Sequence, residues 1–352
     1  MRILLFCEQK YALNILHPLA LEAQEQGDYD ILWYLDGRHI EQFPYANDFK
    51  HTTSMQEAAD FMPEAIFAPG NIVPYYLSGV KINVFHGYAA EKGDQFQIRG
   101  YFDIYATQGP YFTQEFERLK GNRQDFHVVE TGWLRQDSLV RSMPLYNTKA
   151  KEIREKYQAK HIILYAPTFS PRLTSIPQIK LQLIVLAQQE ENLILIKFHP
   201  MTHKKWVNEY RELAKQFENI LYIEDNDIAP YEVAADIMLS DTSSVVYEML
   251  LLNKPVITVR TIAHDLFWQD VTKPEELPAA VWDNLKNDPF AAQRQWVVDN
   301  YDPHLDGLCT ARTLQAAKDF IQQYGVPKIR HTTIWRRYMS VHTFGRVQKK
   351  NI

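Results

Sequence analysis

Apolar residues in this chain fall into short runs of strand length, separated by stretches with helical spacing. In the first half the runs are Ile3–Cys7, Ile31–Leu35, Ala65–Ala68, Ile82–Phe85, Ile104–Ala106 and His127–Val129, with helical patterns such as Asn14 to Gln26 and Met55 to Met62 among them. Many are apolar on both faces, as strands of a parallel sheet covered by helices must be. A charged helical stretch, Thr148 to Gln158, follows Pro144 and reads as a linker helix. The pattern then restarts with Ile162–Ala166, Leu193–Phe198, Ile220–Ile223, Ile237–Leu239 and Val256–Val259. Two successive α/β halves, 1–150 and 151–300, then a helical segment with a basic tail over 301–352, predict two Rossmann-like domains facing a central cleft. The boundary is expected near 145–160.

Open α/β sheets bind ligands at the carboxyl ends of their strands, so polar residues just after the apolar runs are the candidates for chemistry. The densest group is Ser240-Asp241-Thr242-Ser243-Ser244, between a strand and an apolar helix, Val245 to Leu252. Hydroxyls, backbone N–H groups and the positive helix end would gather there to hold an anion. A plain helix cap needs only one such hydroxyl and contributes about 1 kcal/mol. Glu248, four residues past Ser244 and on the same helical face, is either a ribose contact or an exposed helix residue. His86, before Gly87, is placed to take a proton from an attacking hydroxyl, or simply to bind a loop. Lys197 and His199, two apart, are expected on one face of a strand that Pro200 ends, where they would neutralise a diphosphate. His199 and His203 are four apart, but Pro200 argues against a helix through both, so no metal site is expected.

Composition narrows the class. With 352 residues, 46% of them apolar, the chain has material for two cores, and a net charge of −5 excludes a general nucleic-acid binder. From residue 328 onward the balance shifts: Lys328, Arg330, Arg336, Arg337, Arg346, Lys349 and Lys350 occur with no acid, interleaved with Ile334, Trp335, Tyr338, Met339 and Phe344. That mixture suits an anionic membrane surface, and a solvated basic tail is the plain alternative. The two cysteines, Cys7 and Cys309, belong to no metal-type cluster and suit a reducing compartment. The N-terminus lacks a signal-peptide pattern, and no apolar stretch is long enough to span a bilayer. A cytoplasmic protein is expected, with any membrane association peripheral, at the inner face of the cell membrane.

Several motifs in order resemble the CDP-glycerol glycerophosphotransferases, which build polyol-phosphate polymers of teichoic acids and related capsules. They are His86-Gly87; Gly132-Trp133-Leu134-Arg135-Gln136-Asp137; Leu164-Tyr165-Ala166-Pro167-Thr168; Lys197-Phe198-His199-Pro200; Ser240 to Ser244 leading into Lys254-Pro255; and Asp306-Gly307 with Arg312. The resemblance implies a GT-B fold with C-terminal helices crossing back to the first domain. It implies His86 as general base on an acceptor hydroxyl, with His199 and the Thr242–Ser244 hydroxyls on the donor diphosphate, and CMP as leaving group. Arg135, Thr168, Lys197, Asp241 and Glu248 complete the donor-side candidates. The implied partners are a CDP-activated polyol donor and a glycan or polyol-phosphate polymer acceptor, free or lipid-linked, with no cofactor. The chain departs from the family pattern at Phe85, Leu134, Thr242 and Phe169-Ser170, which leaves the nucleotide and the polyol open. A nucleotide-sugar glycosyltransferase of the same fold is the alternative enzyme, and a binding module that has lost its chemistry is the non-enzyme reading. Sugar 2-epimerases favour a glycine-rich phosphate turn, and this chain has none there.

Overall fold

The computed structural model describes residues 1–88, 96–189, 191–225, 227–264 and 266–348. The chain divides into two compact units, one made of Met1–Arg141 with Tyr301–Ile352 and the other of Ser142–Asn300. Unit 1 begins with β1 (Arg2–Cys7), α1 (Tyr11–Gln26), β2 (Asp30–Leu35), β3 (His51–Thr52), α2 (Met55–Asp60), β4 (Ala65–Ala68), β5 (Val80–Asn83), β6 (Ile104–Thr107), α3 (Pro110–Lys120) and β7 (His127–Glu130), and the next helix, α4 (Leu134–Lys156), starts in unit 1 and ends in unit 2. Among the described residues its sheet is ordered β3-β2-β1-β4-β5-β6-β7, every pair parallel. The chain winds one way from β1 to β3 and the other way from β4 to β7. The switch point of this sheet, where such folds leave a crevice, therefore lies beyond the ends of β1 and β4.

Unit 2 follows the same plan with β8 (His161–Tyr165), α5 (Lys180–Ala187), β9 (Asn192–Ile196), α6 (Lys204–Ala214), β10 (Ile220–Tyr222), α7 (Ala229–Ala234), β11 (Ile237–Ser240), α8 (Val245–Leu251), β12 (Val256–Val259), β13 (Gln269–Val271), α9 (Leu277–Asn287) and α10 (Ala291–Tyr301). Its parallel sheet runs β10-β9-β8-β11-β12-β13, with the switch between β8 and β11. All five residues of β9 and all four of β11 are buried, as both-face apolar runs require. The chain then returns to unit 1 as α11 (Cys309–Tyr324), which packs on α1, and α12 (Ile334–Phe344). Arg330, just before α12, is buried and pairs with Asp103 at 2.7 Å, while Phe344 meets the Phe6 ring edge-on at 5.2 Å.

Several expected boundaries shift. The linker helix is the end of a longer one, α4, which runs through Pro144. Proline removes a single ladder bond, and the Pro144 carbonyl still accepts a hydrogen bond from Thr148 Oγ1 at 3.0 Å. The strand ending at Phe85 stops at Asn83, because Phe85 turns to φ 55° and gives its amide to Asn83 Oδ1 at 3.0 Å. The strand expected to carry Lys197 and His199 stops at Ile196. The Lys197 amide still reaches Tyr165 O at 2.9 Å, but beyond it the chain enters a turn.

Two residues of the basic tail are also corrected. Arg330 and Phe344 face the core of unit 1 and are not surface groups, while Lys349 and Lys350 lie outside the described residues. No helix among the described residues is long and apolar enough to cross a membrane.

Candidate active site

In unit 1, the turn after β5 delivers His86. Asn83, itself buried, donates through Nδ2 to Gly70 O at 2.8 Å while its Oδ1 receives the Phe85 amide, so one side chain fixes both sides of the turn. The left-handed conformation of Phe85 costs about 1–2 kcal/mol for a non-glycine residue, and its ring is held by packing on Phe116 at 5.1 Å. His86 is exposed, with its ring 5.4 Å from that of Tyr11, and Nδ1 is 3.2 Å from Pro69 O. A carbonyl oxygen can only accept, so Nδ1 carries a proton, and the neutral ring has its lone pair on Nε2.

Behind this turn a buried network anchors Tyr88. Its hydroxyl donates to Asp302 Oδ2 at 2.6 Å and accepts from Gln136 Nε2 at 2.8 Å, and the Trp133 amide donates to the same Asp302 oxygen at 3.0 Å. Burial pushes the Asp302 carboxyl up to about 7, against the pull of these donors.

Much of the Gly132–Asp137 motif is architectural. Gly132 has φ 81°, and a Cβ there would sit 2.5 Å from Cys309 Sγ, so only glycine fits. Asp137 caps α11, accepting from the amides of Cys309 and Thr310 at 3.0 and 2.8 Å and from the Thr310 hydroxyl at 2.6 Å. Arg312 ties Thr131 O to Asp306, which accounts for the closing motif in the same terms. Arg135, in the first turn of α4, lies over the Trp133 ring at 5.9 Å.

The remaining candidates are all in unit 2. His199 is exposed and accepts the Met201 amide on Nδ1 at 3.1 Å, so its proton sits on Nε2, the opposite tautomer to His86. Its ring stacks on Phe169 at 4.5 Å, and burial together with the Lys197 charge lowers its pKa, keeping it neutral. Lys197 is buried, and its ammonium binds Phe198 O at 3.1 Å. Burial lowers its pKa, with Asp225, Asp227 and Glu224 opposing.

The Ser240–Ser244 turn holds surprises. Asp241 is buried and faces the protein: Oδ1 accepts the Thr168 amide at 2.8 Å, and Oδ2 accepts the Ser175 amide at 2.7 Å and hydroxyl at 2.8 Å. It clamps the 168–175 loop, although burial lifts its pKa to about 6. Ser240 Oγ is used on Ala166 O, and Thr242 Oγ1 accepts from the Ile262 amide. The Ser243 amide turns back to Asp241 O, so the cluster offers fewer groups to an anion than its composition suggests. Ser244 has helical backbone angles and its hydroxyl does not cap α8. Ser243, Ser244 and Glu248 are partly exposed.

Sequence reasoning missed Asp302 and Glu8, and took Phe169 only as a departure from the family pattern. Glu8 directly follows β1, so the search beyond strand ends could have found it; Asp302 carries no local signal. Among the described residues no group of three or more His, Cys, Asp or Glu side chains could hold a metal ion.

Comparison with known proteins adds a family. The model of CDP-glycerol:poly(glycerophosphate) glycerophosphotransferases matches residues 9–265. The teichoic acid ribitol-phosphate polymerase TarK of Staphylococcus aureus is 28% identical over 249 residues, which cover 63% of this chain and 46% of that protein. A teichoic acid glycerol-phosphate primase of Bacillus subtilis is 32% identical over 119 residues, 32% of this chain and 30% of the relative. The chain thus spans less than half the length of these curated relatives. Among solved structures, the wall teichoic acid polymerase TagF aligns with TM-score 0.61 at 15% identity, covering 92% of this chain and 89% of that one. The UDP-GlcNAc 2-epimerase of Neisseria meningitidis aligns with TM-score 0.66 at 13% identity, covering 91% and 100%. At such identities the likeness establishes the two-domain GT-B fold.

Proposed function

The chain belongs to the CDP-glycerol:poly(glycerophosphate) glycerophosphotransferase family, and we propose that it moves a glycerol-phosphate or other polyol-phosphate unit from a CDP-activated donor to a hydroxyl of a glycan or polyol-phosphate polymer, releasing CMP. The observation that carries this reading is the pair of histidines fixed in opposite tautomers. His86 takes the acceptor's proton on Nε2, and the resulting oxygen nucleophile attacks the polyol-bearing phosphorus. The phosphorus–oxygen bond to CMP breaks, and its electron pair stays with the CMP phosphate. His199 offers an Nε2–H to the diphosphate as charge develops, with the Ser243 and Ser244 hydroxyls as further donors. Thr168, Lys197 and Thr242 shape the donor side, Asp241 positions Thr168, and Glu248 is the ribose contact. Arg135 is kept as a donor-side candidate.

The finer setting is the cytoplasmic face of a membrane bearing a lipid-linked acceptor. Ile334, Trp335 and Tyr338 are exposed at 85%, 67% and 57% on α12. Beside them a cavity of about 500 Å³ is lined by Arg336 and His331 and by Arg123, which is itself paired with Asp125, leaving Arg336, among the described residues, as its unneutralised lining cation for an anionic headgroup.

The test is to incubate the protein with CDP-glycerol, CDP-ribitol and a panel of nucleotide sugars. CMP release supports polyol-phosphate transfer. Release of a nucleoside diphosphate alone would overturn it in favour of sugar transfer. His86→Ala should keep CDP-glycerol binding and lose transfer.

A further inference from the structure

Glu8 sits where the switch point of the unit 1 sheet lies, directly after β1 and against the turn after β4. Both its carboxylate oxygens are 2.9 Å from where a Cβ of Gly70 would stand, so the missing side chain at 70 is what admits the carboxyl group. The nearby Ile72 amide favours the charged form, while Oε1 is buried with no hydrogen-bond partner. A buried, partly satisfied carboxyl is costly. The turn it supports, Pro69 to Ile72, provides the Pro69 carbonyl that binds His86 Nδ1 and the Gly70 carbonyl that binds Asn83. Tyr11, one helical turn into the chain after Glu8, lies beside the His86 ring.

We propose that Glu8 is a positioning residue for His86: its carboxyl group, packed against Gly70 of the Pro69–Ile72 turn, holds the carbonyl that keeps the histidine's proton on Nδ1. The proposal rests on the reading of His86 as the base. Burial pushes Glu8 up to about 7, with Asp36 acting in the same direction and the Ile72 amide and Arg38 opposing. The other titratable groups near it are Cys7 on β1, Tyr11 on α1 and Tyr34 on β2. Glu8 thus changes charge near neutral pH, and the anion draws in the Ile72 amide and so tightens the turn.

The experiment uses the full chain with ¹⁵N-labelled histidine, the His86 signal being identified by its loss in His86→Asn. In the wild type the neutral ring should be the Nδ1–H form, and in Glu8→Ala it should become a mixture, with kcat down about 10- to 100-fold and donor KM unchanged. Glu8→Gln keeps the shape and an acceptor for Ile72. It should restore most of the tautomer while the rate profile loses its step near pH 7.

A wild-type tautomer in Glu8→Ala overturns the proposal, as does an unaltered pH profile in Glu8→Gln, which stands as the test if the alanine variant fails to fold. The tautomer is read without turnover. Full transfer by His86→Ala would therefore sink the base reading alone and leave the Glu8 result to be judged on the spectrum.

Discussion

Asp241→Asn separates two roles that the Ser240–Ser244 turn could assign to this residue, donor ligand or clamp. The wild-type carboxylate accepts from three donors, two of them backbone amides on opposite oxygens. A carboxamide has one acceptor oxygen. If that oxygen faces Thr168, the new NH₂ meets the Ser175 amide; the Ser175 hydroxyl can rotate to accept, but the amide cannot. If it faces Ser175, the Thr168 amide is stranded. Either way one N–H, the buried one of Ser175 or the part-buried one of Thr168, loses its partner, which costs about 1–3 kcal/mol.

The loss is confined to the 168–175 loop, so amide exchange at the stranded residue should accelerate by about 10- to 100-fold, one decade per 1.4 kcal/mol. The urea midpoint should fall with an unchanged slope. The assay is hydrogen exchange of the Thr168 and Ser175 amides beside CDP-glycerol affinity. Full protection of both amides, with affinity lost, would refute the clamp and make Asp241 a direct ligand.

Two further outcomes follow from the buried network and cap of unit 1. Asp302 is raised in the fold from an ordinary carboxyl value near 4 to about 7, so its share of stability is complete below about pH 4 and is lost as pH rises through 7. Urea midpoints should therefore fall between about pH 4 and 7 and level off above that, and Asp302→Asn should flatten that dependence; an equal slope in the variant would contradict it. Asp137→Ala removes the three Asp137 bonds to Cys309 and Thr310 that cap α11 and should destabilise by about 1–2 kcal/mol, seen as a Tm lower by about 2–6 °C, with CDP-glycerol affinity unchanged.

The strands were legible because parallel sheets bury both faces, and runs such as Leu193 to Ile196 and Ile237 to Leu239 advertise this directly. Their ends were not. Phe85 is as apolar as the strand before it, and only the Asn83 side chain competing for its amide ends β5. Lys197 and His199 alternate correctly for a strand, yet the chain turns before alternation can apply. The hydroxyl-rich turn was found by composition, but composition cannot tell an oxygen facing a ligand from one facing the protein, and Asp241 faces the protein. The histidine tautomers depend on Pro69 and on the Met201 amide, one of them seventeen residues away in sequence. Such partners are set by the fold and leave no local mark.

Unit 2 is one unbroken stretch, whereas unit 1 draws on both ends of the described chain. On the ribosome the order of completion is therefore reversed. Ser142–Asn300 has all its residues while β1 to β7 still lack α11 over α1 and the Arg330 charge that neutralises buried Asp103. At about 5–20 residues per second, the unfinished sheet waits some seconds for the segment from Tyr301 onward. During that interval chaperones and proteases meet an open apolar surface. A chain that stops near residue 300 would carry a finished second unit and still be degraded.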